Sequence, residues 1–355
     1  MKRKSEMFLW KEEFYPKRNE ERKIFIIINN QDMALTTPLS DGGYKELFLG
    51  KSFKIKLPVL NKQQENDCVK FKGTEVRLDF IHFTSVMCKS RKLPFFTAVN
   101  IDGDQWQDNT RKGDFHDDPR IKADEQLGKK LYSAAKSDFD RGHMVRREDP
   151  EWGTPALSKQ AGENTFWFTN CAPQHKDLNQ KIWAELEANI LHLGADEQNL
   201  KASVMTGPVL AKTDGTFVTK LDGEDIQIPN LFWKIVIWTK SDAKAYAVGF
   251  LMSQEKFLLK AGIIKKQMVI NAKMLRKIKD EDIFEHLQFK DGKTYQVQIE
   301  EIEKLSGLKF NWPGVIRPFK KPPIAISGTS IPPSAKKKLA EPGMKRSMRL
   351  KGLTL

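Results

Sequence analysis

Apolar and polar positions alternate along several stretches of this chain, and the alternation predicts strands. In EVRLDFIHFTSVM (75–87), Val76, Leu78 and Phe80 face one way while Arg77 and Asp79 face the other, a two-residue period. PFFTAVNIDG (94–103) reads as a strand that ends in a turn, and TFWFTN (165–170) as another strand. ASVMTGPVL (202–210), NLFWKIVIWTK (230–240) and AKAYAVGFLM (243–252) are apolar strands. The middle one has the continuous hydrophobicity of a sheet buried on both faces. KIFIIINN (23–30) predicts a short buried strand, and 42–60 mixes turn residues with a strand-like end. The period changes in LNQKIWAELEANILHL (178–193), where Ile182, Trp183, Leu186 and Ile190 fall at helical spacing. YQVQIEEIEKLSGLKF (295–310) predicts a strand entering a short helix. Between Asp104 and about Gln126 the chain is polar throughout, and such a loop inside a domain is either functional or disordered. No internal repeat is present.

Length and charge add boundaries. The chain has 355 residues and a formal net charge of +14, which suggests nucleic acid or an anionic surface as partner. The excess is uneven: nine of the fourteen charges fall from Arg317 onward and three within residues 1–23, leaving little for the body. The expected organisation is an N-terminal extension over 1–74, partly ordered, a domain over 75–316, and a basic Pro/Lys-rich tail over 317–355 that cannot bury a core. Three widely spaced cysteines, Cys68, Cys88 and Cys171, argue against a disulfide framework or a structural zinc site. The start lacks the apolar stretch of a secretory signal, and no run of about 18 apolar residues suggests a membrane span. Cytoplasmic is the default expectation.

Chemistry concentrates between 138 and 187. Asp138-Phe139-Asp140-Arg141-Gly142-His143 is followed by Phe168-Thr169-Asn170, Pro173-Gln174, Leu178-Asn179-Gln180, Trp183 and Leu186-Glu187. Laid on the predicted elements this is strand, long loop, strand, turn, helix. These parts suit phosphodiester hydrolysis. An imidazole can deprotonate water near neutral pH, a cation must sit on the phosphate and leaving oxygen, and magnesium keeps most of its waters, so one side-chain amide can hold it. Asn179 is a candidate ligand. Glu187, two turns later, lies about 12 Å along the axis and about 80° around, which suits an acid acting through metal-bound water. Arg141 beside the imidazole, and Arg111 in the polar loop, can supply positive charge. Each residue also has a plainer reading: Asn170 as a turn residue, Asn179 as a helix-capping amide, Glu187 as a surface charge, Trp183 as core. His175 is a second candidate base, and the residues alone leave the choice open.

DRGH followed by TNCAPQ, LNQ and WAELE resembles the DNA/RNA non-specific endonuclease family, a group of ββα-metal nucleases. The core signature spans about 50 residues, with weaker likeness from about Asp79 to Phe310. The resemblance implies an α+β fold: a mixed central β-sheet with helices and the ββα element on one side. It implies His143 as general base and Asn179 as the protein ligand of one Mg²⁺ ion, which Mn²⁺ can replace. Glu187 would order the metal's waters. Asn170 and Arg141 would position the base and the phosphate, and Arg111 would be a transition-state arginine. Where the family commonly continues with an apolar residue and Pro, this chain has Met144-Val145-Arg146-Arg147, placing Arg146 and Arg147 as candidate substrate-binding cations. The implied reaction is sugar-non-specific cleavage of DNA and RNA; a toxin, a defence effector or one part of a larger system are open settings for it. Homodimers occur in the family, and an inhibitor or activating partner is left open.

Two other classes compete. A non-enzymatic nucleic-acid binder would use the basic ends, but binding needs no base. A phosphatase or nucleotide hydrolase would need a carboxylate-rich two-metal cluster or a P-loop, and neither pattern is present.

Overall fold

The alternation in 75–87 folds back on itself rather than forming one strand. In the computed structural model Arg77–Asp79 (β1) pairs antiparallel with Phe83–Cys88 (β2). The turn between them requires His82 to adopt a left-handed conformation, φ 65°, which sequence alternation cannot signal. The structure describes residues 37–110, 113–176, 201–240, 242–265, 294–328 and 350–351. All lie in the unit spanning Leu35–Leu355. The expected strand at 23–30 and helix at 178–193 lie outside them.

The remaining strands are Leu93–Asp102 (β3), Phe139–His143 (β4), Cys171–His175 (β5), Lys201–Val209 (β6), Gly215–Phe217 (β7), Gln227–Ile228 (β8), Leu231–Thr239 (β9), Ala245–Ser253 (β10), Ile264–Lys265 (β11), Thr294–Val297 (β12), Ile324–Gly328 (β13) and Leu350–Lys351 (β14). Among the described residues β1-β2-β3-β6-β9-β10-β12-β13-β14 form one nine-stranded sheet, β11-β7-β8 a small second sheet, and β4-β5 a separate hairpin. The expected α+β class stands, and the large sheet is antiparallel at every described pairing. Strands β6, β9 and β10 appear where the apolar runs place them. The expected strand-to-helix passage is β12 followed by the helix Ile299–Ser306.

The sheet has two covered faces. On β9, Phe232 and Val236 enter one core while Trp233, Ile235 and Ile237 enter the other, the two-sided burial expected of its continuous hydrophobicity. The second core is closed by Tyr44, Leu49 and Ile55 from one end of the chain and by Ile299, Ile302, Leu308, Phe310 and Trp312 from the other. Residues on both sides of the sequence boundaries at 74 and 316 thus share one body: Ile55 is 1% exposed, Phe319 is 3% exposed, and β13 extends the sheet beyond residue 316. The first core takes in Phe139, Met144, Val145 and Ala172, so the β4–β5 hairpin packs on that face.

Candidate active site

The hairpin register places the signature residues. Phe139 pairs with His175, Arg141 with Pro173 and His143 with Cys171, while Asp140 pairs with Gln174 and Gly142 with Ala172. Side chains alternate along a strand, so Arg141 and His143 share one face with Cys171, and Gly142 and Gln174 share the other. Gln174 is fully buried and its side chain lies across Gly142. A Cβ at Gly142 would collide with the Gln174 carboxamide. Glycine between Arg141 and His143 thus lets the Gln174 side chain lie across the hairpin, and any larger residue would have to push that carboxamide aside.

TFWFTN, expected as a strand, forms two short 3₁₀ turns, Asn164–Phe166 and Phe168–Asn170, and the strand begins only at Cys171. Side-chain hydrogen bonds win over the apolar pattern here. Thr165 Oγ1 donates to Gly162 O at 2.7 Å, and Asn170 Nδ2 donates to Thr165 O at 3.0 Å. Asn170 also donates to Val145 O and accepts from Val145 N, both at 2.9 Å, and its own carbonyl accepts from Met144 N. It is fully buried. Asn170 thus fixes the chain immediately after His143, leaving the imidazole at the strand end.

The His143 ring is half-buried. Phe115 stands 4.7 Å from it and Phe166 meets it edge-on at 5.0 Å. Phe168 stacks on Phe115 and on Tyr132, each at 5.6 Å. The Tyr132 hydroxyl lies 3.1 Å from Cys171 Sγ, and the Arg141 guanidinium sits 5.6 Å from the Tyr132 ring centroid. Burial pushes the Cys171 thiol up to about 12 and raises the Tyr132 phenol well above its ordinary value, so neither can exchange a proton near neutral pH.

The arginines divide into two kinds. Arg141 makes a 3.5 Å ion pair with Asp114, whose side chain is 75% exposed, and its Nε has no hydrogen-bond partner. An exposed ion pair of this kind contributes little, so an incoming phosphate can displace it. Arg146 and Arg147 are already engaged. Arg146 pairs with Glu148, and Arg147 bridges Glu148, Glu151 and Asn109 O. Asp149 Oδ2 accepts from the Arg146 backbone at 3.2 Å, so this cluster ties the loop after His143 to itself.

His175, the second candidate base, is 6% exposed and stacks on Phe257 at 5.2 Å. Its backbone N–H donates to Gln254 Oε1 at 2.8 Å, and Gln254 Nε2 donates to Pro173 O and Pro229 O. Gln254 therefore completes the open edge of β5 as a neighbouring strand would. Sequence reading missed Gln254, Phe115 and Tyr132. Gln254 acts on residues about eighty positions away, and nothing in the local pattern marks it. Arg111, Asn179 and Glu187 lie outside the described residues. Among the described residues no group of three His, Cys, Asp or Glu is placed to hold a metal ion, and no helix is long and apolar enough to cross a membrane.

Comparison with known proteins bears on this site. A family model described as DNA/RNA non-specific endonuclease matches residues 62–314, well over half of the chain. An uncharacterized protein of Sinorhizobium fredii, y4fB, is 38% identical over 229 residues, 61% of this chain and 33% of that protein. Bovine mitochondrial endonuclease G is 31% identical over 135 residues, 36% of this chain and 42% of the relative. A nuclease of Serratia marcescens is 28% identical over 145 residues, 39% of this chain and 49% of the relative. The chain thus spans between a third and a half of the length of these relatives. A solved structure described as the EndoG/EndoGI complex aligns with 19% identity and a TM-score of 0.45, covering 70% of this chain and 89% of that one.

Proposed function

The chain belongs to the DNA/RNA non-specific endonuclease family, and from that premise we propose that it hydrolyses phosphodiester bonds in both DNA and RNA with little base preference. The observation that carries the proposal is the pairing of a half-buried imidazole with a loosely held guanidinium. His143 and Arg141 share one face of β4, two residues and so roughly 6.6 Å apart. The nearby phenol and thiol are held out of the neutral range.

In this reading His143 takes the proton from the attacking water, and the aromatic cage of Phe115 and Phe166 holds its ring at the strand end. Asn170 positions the base through the three side-chain bonds to Val145 and Thr165. Arg141 leaves Asp114 for the phosphate, and Arg111 adds charge to the transition state. Phosphate contacts carry no sequence information, which fits broad specificity. Arg146 and Arg147 contribute to the positive field beside the site while holding Glu148 and Glu151. Asn179 is the proposed protein ligand for one magnesium ion, with Glu187 acting on its waters. The ion would supply charge to the phosphate and the leaving oxygen.

Incubating plasmid DNA and RNA with the protein, with and without EDTA, tests the reading. Cutting of both substrates that EDTA stops, and that His143→Ala abolishes while binding persists, is the expected result. Binding without cutting in magnesium would leave a nucleic-acid-binding protein in its place.

A further inference from the structure

We propose that a groove away from the hairpin grips the phosphate backbone of the substrate beside the bond being cut, an inference that rests on the nuclease reading above. The groove is a cavity of about 640 Å³ bordered by Asn66, Lys70, Lys89, Arg120, Lys122 and Glu125. Lys70, Lys89 and Lys122 are exposed, and among the described residues none of them pairs with a carboxylate. Arg120 is held in place differently. Its guanidinium bonds both oxygens of the buried Asp118 and the carbonyl of Asp79, and lies 4.2 Å over the Phe80 ring. Glu125 gives its Oε2 to the Lys122 backbone N–H. Three exposed ammonium groups thus border one concavity, in which Glu125 is the one acidic lining residue, leaving an excess of positive charge.

A second cavity, of about 350 Å³, shows the contrast. It uses other residues of the same 117–131 segment, but Lys92 there pairs with Glu224 and Lys130 with Asp222. Charge is cancelled in one cavity and left open in the other, so only the first attracts an anion strongly. No aromatic side chain borders it, so it lacks the stacking platform that would hold a base. Lysines without such a platform suit backbone phosphate.

The groove also lies close to the hairpin site. Phe115 packs on the His143 ring. Arg120 and Lys122 follow it by five and seven residues, which limits their Cα atoms to roughly 18 and 25 Å from Phe115. Duplex DNA advances about 3.4 Å per base pair, so these two groove residues lie within about seven base-pair steps of Phe115. Asp118 also links the two regions directly, accepting from the Thr169 hydroxyl at 3.0 Å, one residue before Asn170.

The test is a Lys70→Gln, Lys89→Gln, Lys122→Gln variant, whose exposed positions leave the fold intact. Binding of a duplex of about 30 base pairs is followed by fluorescence anisotropy in EDTA from about 50 to 200 mM salt, where each lost phosphate contact lowers the logarithmic salt slope by about 0.9. A fall of about 2 to 3 in that slope is expected, with a higher KM and an unchanged kcat in magnesium. A control variant, Lys62→Gln, Lys130→Gln, Lys220→Gln, removes three lysines that pair with Glu65, Asp222 and Asp225, and its slope should stay near the wild-type value. Equal slopes for the groove variant and wild type would overturn the proposal, as would equal losses in both variants. Because binding is read without cleavage, an inactive protein with a normal slope change would refute the nuclease reading and leave the groove standing.

Discussion

The two faces of the nine-stranded sheet are built for different ends. One core presents Phe96, Met205, Trp233, Ile235, Ile237 and Leu251 to Ile55, Ile302 and Phe310. Its polar side chains gather at one edge, where Thr84 accepts from Tyr44 N and Asn100 from Lys45 N. The opposite face carries a polar row through its middle. Register aligns Ser85 with Thr97, Thr97 with Thr206, Thr206 with Lys234, and then Phe250 with Gln296. Each of these is at most 2% exposed. Burying polar groups costs free energy unless they are bonded, so the row is a poor way to gain cohesion. It gains placement: Ser85 Oγ donates to Thr169 O at 2.6 Å, reaching the segment that presents Asn170 and the hairpin. Both faces cohere through a hydrophobic core, and the face with the polar row also sets the position of what lies on it.

The sharpest way to break this comparison is to truncate one residue on each face. His143→Ala should lower turnover by about 10²–10⁴, with a melting temperature close to wild type, because its ring is only half-buried. Trp233→Ala, on the apolar face and fully buried, should cost about 3–5 kcal/mol, read by denaturant unfolding. At temperatures where that variant stays folded, its turnover should be nearly normal. Activity loss from Trp233→Ala without loss of stability would dissolve the division between faces.

Asn170→Asp sharpens the boundary between them. An aspartate can still accept from Val145 N but cannot donate to Val145 O or Thr165 O, and it brings a buried charge. Leaving such groups unmet costs about 1–3 kcal/mol each. We expect both a lower stability and a lower kcat, with KM less affected, since the segment behind His143 loses its anchor. A variant that loses stability alone would reduce Asn170 to a turn residue, the plainer reading its sequence position also allowed.

How far the sequence reached follows the same physics. Strands β6, β9 and β10 were legible because a strand buried on both faces leaves a continuous apolar run. Gly142 and His143 were legible through the signature, while the reason for Gly142 became visible only with Gln174 across the hairpin. The turn at His82 and the 3₁₀ segments around Phe166 were hidden, because a left-handed residue and side-chain hydrogen bonds decide them. For Arg146 and Arg147 the structure adds partners that a count of cations does not show: Glu148 and Glu151, one to four residues away, pair with them. Gln254 was beyond any local pattern, since its partners on β5 are distant in sequence.

The smallest expected effect lies in the loop that leaves the polar face. Glu151 is 1% exposed, and one oxygen bonds Arg147 while Oε2 has no partner. Burial pushes its carboxyl up from 4.5 to about 7, although Arg147 pulls the other way. The sign follows from linkage. Below about pH 4.5 the folded and unfolded chains both hold the proton, and the carboxyl imposes no penalty. Between about pH 4.5 and 7 the unfolded chain releases it first, so stability falls as pH rises, and above about 7 the penalty is constant. Glu151→Gln keeps the size and one acceptor but cannot titrate, so its melting temperature should depend less on pH across that window, with little change at low pH. Asp214, whose carboxyl burial also raises to about 6, is present in both proteins and sets the remaining pH dependence, and a Trp233→Phe variant should retain the wild-type pH dependence. If Glu151→Gln retains it as well, the titrating group lies elsewhere, and Arg147 holds Glu151 ionised throughout the range.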